Sequence, residues 1–225
     1  MADLVRHLSI EGLSCPGVQI KGQLHGLALS YWLDLAVFFK PIFPYTSLGR
    51  ETMNARELTT AAVTTALVTV ATLVIRVPVP ATQGYINLGE TMIYLTALLL
   101  GPGFGAVAGA VGSALADLLA GYASFAPFTF VIKGVEGALA GWLFWRILGG
   151  ARQEVGRLIG AGLVACAVAG DWMVLGYYVT EAFLMRLGPQ AASAEVPGNL
   201  FQVAAGIVVG IPAAALLRRA LPRPV

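Results

Sequence analysis

From residue 58 onward the chain is a succession of long apolar runs, broken only by short clusters of Gly and Pro. A helix needs about 20 mostly apolar residues to cross a hydrocarbon layer. Six runs approach that length: 58–77, 88–100, 104–122, 127–148, 158–184 and 200–217. The second is short, and the fifth is long enough to tilt or break. Breakers mark the joints: Pro78 and Pro80, Gly101-Pro102-Gly103, Pro127, Gly149-Gly150, Gly188-Pro189 and Pro197-Gly198. The pattern predicts an all-α integral membrane protein, a bundle of six transmembrane helices. Basic residues orient it. With the N-terminus inside, Arg50, Arg56, Arg146, Arg152, Arg157, Arg218, Arg219 and Arg223 lie on the inner side, and only Arg76 and Arg186 lie outside. Both termini are then cytoplasmic.

The first 52 residues break the pattern. Residues 27–39 are apolar but hold Asp34 and are too short to cross. No cleavable signal pattern is visible. Residues 1–52 read as an N-terminal extension: an interfacial segment, a tail, or the product of a mis-called start with Met53 as the true one. The membrane domain is 53–225.

Composition narrows the function classes. Of the 225 residues, 57% are hydrophobic and 12% charged, about half the charge of a soluble domain. That excludes a disordered chain, a disulfide scaffold and an ordinary soluble enzyme. A net charge of +2 gives no pull on nucleic acid. Cys15, Cys166, His7 and His25 fit no metal-binding spacing, so no metal or cofactor is expected. No GxxxxGK[ST] occurs, so the chain has no ATPase motif of its own.

The informative residues are polar ones inside the spans. An ionised side chain at mid-depth costs about 2.5–3.5 kcal/mol on insertion scales. Yet Asp117, Lys133, Glu136 and Asp171 fall within spans, and Glu90, Asn199 and Gln202 lie at span entrances. At 1.5 Å per residue, Asp117 lies about 8 Å, Lys133 about 9 Å and Glu136 about 14 Å below the outer edge. The third and fourth spans are antiparallel neighbours, so Asp117 is expected level with Lys133. Polar groups from several spans thus converge on the outer half, which describes a pocket open to the outside. The plainer alternatives are a structural ion pair at Lys133, helix packing for Asp171 and solvation for Glu181 and Glu195. Tyr85, Tyr94, Tyr122, Phe125, Phe128, Phe130, Trp172 and Tyr177 border the same region. Together they offer a stacking surface for a flat ring. Residues 77–87 form a long outer loop, fit for a lid. Small residues recur at four-residue spacing, as in Ala62/Ala66, Gly105/Gly109, Gly137/Gly141, Gly156/Gly160 and Gly206/Gly210, where helices approach closely.

Four stretches carry a family resemblance: Gly84-Tyr85-Ile86-Asn87-Leu88-Gly89-Glu90, Leu98-Leu99-Leu100-Gly101-Pro102, Gly112 to Leu118 around Asp117, and Ala126 to Gly137 around Lys133 and Glu136. In this order the chain resembles the substrate-binding S component of energy-coupling factor (ECF) vitamin transporters, riboflavin-type branch, over about residues 53–220. The family often has Asp after Asn-Leu-Gly, where this chain has Glu90. The resemblance implies a six-helix protein of the prokaryotic plasma membrane that binds a vitamin on its outer side, with the first outer loop as a gate. It also implies assembly with a transmembrane coupling (T) subunit and two cytoplasmic ATPase subunits, through small residues on the first helix such as Ala62 and Ala66. On this reading the chain is a binding subunit of an ECF-type ABC importer and not an enzyme. Riboflavin is the first ligand expected, with pyridoxine or hydroxymethylpyrimidine fitting a smaller polar pocket. Asn87, Glu90, Asp117, Lys133, Glu136 and Asn199 are expected to supply hydrogen bonds, and Tyr85, Tyr94, Tyr122 and Phe130 apolar walls. The alternative is an ion- or proton-coupled secondary carrier using Asp117, Lys133 and Glu136 as a relay. An integral membrane enzyme is a third class, but no nucleophile–base set is visible.

Overall fold

The computed structural model describes residues 54–82, 84–149 and 154–220. The extension 1–52, with His7, Cys15, His25 and Asp34, lies outside the described residues. Six helices are present among them: α1 (Ala55–Val74), α2 (Gly89–Leu100), α3 (Pro102–Ala120), α4 (Ala126–Leu148), α5 (Val155–Val179) and α6 (Pro189–Ala220). A π-helical turn, Thr180–Leu184, prolongs α5. Each run read from the sequence contains a helix. Four of the helices are long and apolar enough to cross a membrane: α1, α3, α5 with its π turn, and α6. The 12-residue α2 is apolar but short, because Gly101-Pro102 stops it and starts α3. Lys133, Glu136 and Arg146 make α4 the most interrupted of the apolar runs.

Local signals set the helix ends. Asn54 caps α1 in a reciprocal box, its Oδ1 accepting from the Glu57 N–H at 2.9 Å while Glu57 Oε2 accepts from the Asn54 N–H at 3.2 Å. Gly121, at φ 87°, ends α3 in the left-handed conformation. Two sequence expectations are corrected. Pro197-Gly198 does not separate α6 from the preceding segment, and the helix runs on through both Pro197 and Pro212. Proline within an apolar helix is tolerated when neighbouring groups satisfy the freed backbone. Residues 77–87 are also not an irregular loop. Strands β1 (Arg76–Val79) and β2 (Gly84–Asn87) pair antiparallel, with Val77 opposite Ile86 and Pro78 opposite Tyr85. Val77, Val79, Tyr85 and Ile86 are strand formers around a turn that begins at Pro80.

The interior is built mainly from small side chains. Ala97, Ala108, Ala140, Ala161, Ala165 and Ala169 are buried, with Tyr94 and Phe144 as the largest buried groups. Helices therefore approach almost backbone to backbone. A Cβ at Gly105 would come within 2.7 Å of the Gly137 carbonyl oxygen, and one at Gly141 within 2.6 Å of Pro102 Cα. That seam fixes α3 against α4. Large apolar residues such as Val63, Leu67, Leu119, Leu175 and Val208 face outward, an inverted pattern suited to lipid.

Candidate functional site

The polar residues gather under the β-hairpin, from all six helices and β2. Deepest is a charged triad. Glu90, in the first turn of α2, forms an ion pair with Lys133 of α4. Lys133 Nζ also lies 3.3 Å from Glu136 Oε2. The exposures of Glu90, Lys133 and Glu136 are 0%, 3% and 0%. The Tyr94 hydroxyl donates to Glu136 Oε1 at 2.8 Å. Gly206 and Gly170 leave room for this ring: a Cβ on either would stand 3.0–3.1 Å from Tyr94 atoms.

Above the triad lies a small cavity. Tyr85 and Asn87 of β2, Asp117 of α3, Lys133 of α4, Tyr177 of α5 and Asn199 of α6 line it. Thr72, Ser113, Phe125, Thr129, Glu195 and Gln202 complete the wall. Its volume is ≈ 30 Å³, room for a water or two. The hairpin closes its outer side. The Tyr85 hydroxyl donates to Asp117 Oδ1 at 2.7 Å. The Asn87 N–H donates to Gln202 Oε1 at 2.7 Å, and Gln202 Nε2 donates to Asn199 Oδ1 at 2.8 Å. Burial, reinforced by the Asp117 charge, pushes the Tyr85 phenol well above its ordinary range, so it remains a donor. The Thr129 hydroxyl lies beside Asp117, but no donor meets Asp117 Oδ2 at hydrogen-bonding geometry among the described residues. A second, wider chamber of ≈ 330 Å³ lies between the hairpin turn, Tyr122, Phe125 and Met185. Tyr122 packs against Tyr85 in a tilted pair, ring centroids 4.6 Å apart and planes at 44°, so the Tyr85 side chain stands between the two spaces.

The lining groups can hydrogen-bond a small polar molecule from several sides, and a ring needs the closed cavity to widen. The sequence matches the family "ECF-type riboflavin transporter, S component" over residues 52–219. The chain belongs to that family. It is therefore a multi-pass membrane transport component rather than an enzyme, and the family implies a small-molecule substrate and partnership with an ECF module. Two relatives are similar. An "Uncharacterized protein in gap 3'region" of Pyrococcus woesei is 45% identical over 64% of this chain and 88% of its own length. The "Thiamine precursor transporter HmpT" of Lactococcus lactis subsp. cremoris is 29% identical over 74% of this chain and 90% of its own.

The S component brings together most of the residues singled out from sequence, but not all on one surface. Tyr85, Asn87, Asp117, Lys133 and Asn199 line the cavity. Glu90, Tyr94 and Glu136 lie behind Lys133 and reach the cavity only through it. Tyr122 lines the outer chamber instead. Phe130 is 49% exposed among lipid-facing side chains. Asp171 faces outward as well. Asp117 is not level with Lys133. A Cβ on Gly109 would strike the Lys133 backbone, so Lys133 lies opposite a residue two turns below Asp117. The tight α3–α4 seam imposes that register, whereas counting from the ends assumed a common starting depth. Glu181 and Glu195, expected in solvent, are buried. Missing from the sequence reading were the hydroxyls of Thr72, Ser113 and Thr129. A signal existed for two of them: Thr129 shares a helical face with Lys133 and Glu136, and Ser113 shares one with Asp117.

Removing the lid bond has a definite expected outcome. Tyr85→Phe is expected to weaken hairpin closure by about 1.5–3 kcal/mol, the range for a hydrogen bond to a charged group. Ligand dissociation should then accelerate roughly tenfold or more, measured by filter-binding chase. An unchanged off-rate would show that Tyr85 does not close the site.

Proposed function

We propose that this chain is the substrate-binding subunit of an ECF-type importer in a prokaryotic plasma membrane. All six helices span, both termini are cytoplasmic, and the hairpin covers an outward-facing site. Residues 53–225 form the membrane substrate-binding domain and 1–52 an N-terminal extension to it, in keeping with a family match that starts at residue 52. The chain lacks a P-loop, so energy comes from two partner ATPases through a T subunit. The face of α1 suits that partner. Ala62 and Ala66 are exposed beside Val63, Leu67 and Val70.

The ligand is a small ring bearing N–H or O–H donors, of the hydroxymethylpyrimidine class. One observation carries this reading. The Lys133 ammonium is already matched by Glu90 and Glu136, while Asp117, in the cavity wall, keeps one oxygen without a donor. A site so arranged attracts donors and repels anions. The similarity to a thiamine precursor transporter agrees with it. Riboflavin is the second reading, supported by the family's description, and it requires the cavity to merge with the outer chamber as the hairpin lifts.

Thermal shift of the purified protein tests the choice. Hydroxymethylpyrimidine is expected to raise the Tm, its phosphate ester is not, and Asp117→Asn should weaken binding by about tenfold or more. Stabilisation by riboflavin alone would transfer the assignment to the second reading. Equal binding of the phosphate ester would overturn the role given to Asp117.

A further inference from the structure

Glu181 and Glu195 form a second acidic feature at the outer end of the bundle. Glu181 is fully buried and Glu195 is 5% exposed. The π turn aims Glu181 inward. Its five-residue step, closed by the Met185 N–H donating to the Thr180 carbonyl at 2.8 Å, narrows the angle between successive residues. Thr180, Glu181 and Ala182 are all buried as a result. Such insertions often mark functional positions.

Neither carboxyl oxygen of Glu181 meets a donor among the described residues, and the Glu195 carboxyl lies within hydrogen-bond reach of it. Glu195 Oε1 accepts from the Thr82 hydroxyl in the hairpin turn. Gly84 makes room for that contact, since a Cβ there would collide with the same oxygen. Among the described residues the surrounding groups supply no cation. From α6 comes only Glu195. The hairpin brings Thr82 and Tyr85, and α5 carries Tyr177 and Tyr178. Across the cavity that Glu195 lines stand Asp117 and Lys133, and Lys133 is committed to Glu90 and Glu136. Arg76 and Arg186 pair with neither glutamate among the described residues. Two adjacent carboxylates in such surroundings do not both ionise, and a proton between them forms a short, strong O–H···O⁻ bond.

We propose that Glu181 and Glu195 share one proton, and that this proton latches the hairpin onto α5 and α6 through Thr82. With the proton present, Glu195 is held against α5 and presents its other oxygen to Thr82. When the proton leaves, two anions repel each other. The Glu195 carboxylate then turns toward the cavity, the Thr82 contact breaks and the lid loosens. The latch goes beyond the substrate reading and operates without ligand, so failure of either leaves the other standing.

The test follows the lid in the full-length protein. A nitroxide is placed on Ala81→Cys, an exposed turn position, in a Cys15→Ser background. Cys166 is buried and free. Between about pH 5 and about pH 9 the mobile fraction of the label is expected to rise at least threefold with the glutamates intact. In Glu181→Gln the amide donates permanently to Glu195, and the label stays at its low-pH mobility throughout. Glu195→Gln is a second arm with the same expectation, its amide donating to Glu181 while its carbonyl accepts from Thr82. Each sample is checked for a single elution peak, and the native-sequence titration decides by itself if a variant fails to fold. A flat profile with both glutamates present overturns the latch, as does a pH response of unchanged size in a folded Gln variant.

Discussion

Lys133→Ala is expected to cost the S component about 3–5 kcal/mol of stability, the penalty for breaking a buried ion pair from one side. The substitution leaves Glu90 and Glu136 as two anions at 0% exposure, with the Tyr94 hydroxyl as the one hydrogen-bond donor to Glu136 among the described residues. Thermal unfolding followed by size-exclusion chromatography in detergent reads the loss. The informative comparison is the triple variant Glu90→Gln, Lys133→Met, Glu136→Gln. It removes all three charges while keeping similar volumes, and should recover most of the lost stability, because a buried ion-pair network replaced as a whole is often neutral. If Lys133→Ala unfolds at the same temperature as the native protein, the triad does not hold α2 against α4. If the triple variant is no better than the single one, packing rather than charge explains the loss.

The second large effect is expected at Gly137. A Cβ there would stand 2.5 Å from the Gly105 carbonyl carbon and 3.1 Å from the Ala106 nitrogen. These are backbone atoms of α3, which cannot rotate aside as a side-chain tip would. Overpacking typically costs about 1–3 kcal/mol and occasionally more, and Gly137→Leu belongs at the upper end because a whole helix must shift. Loss of the monodisperse elution peak is the expected result. Gly156→Leu and Gly160→Leu are the controls, since an added Cβ at either meets nothing within 4 Å. Both should stay within about 0.5 kcal/mol of the native protein. Equal damage at Gly137 and Gly160 would show that backbone contact is not what the α3–α4 seam depends on.

These two glycine pairs show what a linear pattern can and cannot say. Gly137/Gly141 and Gly156/Gly160 look identical in sequence: small residues four apart in an apolar run. One pair is pressed against the neighbouring backbone and the other lies in open space. Four-residue spacing fixes a helix face but not what that face meets. The hairpin gives the same lesson in another form. Proline and polar residues announced a break after α1, but pairing of Arg76 with Asn87 through Val79 with Gly84 is a relation between segments. The long α6 is the converse case, in which local breakers were overruled by packing around the helix.

The sequence by itself determined the number and type of the main elements, their apolar character and the family. Those properties follow from hydrophobic run length and from short motifs, both of which are local. It also marked Asp117, Lys133 and Glu136 as costly residues with a purpose, because an ionisable group in an apolar run carries its expense wherever it ends up. Tertiary structure alone decided which of them meet. The α3–α4 seam slid Lys133 two turns below Asp117 and gave it to Glu90. The π turn swung Glu181 inward to Glu195, and the hairpin brought Tyr85 to Asp117 across 32 residues of chain. Depth, facing and partnership depend on how helices slide and rotate against one another, and that is set by contacts between residues far apart in the chain.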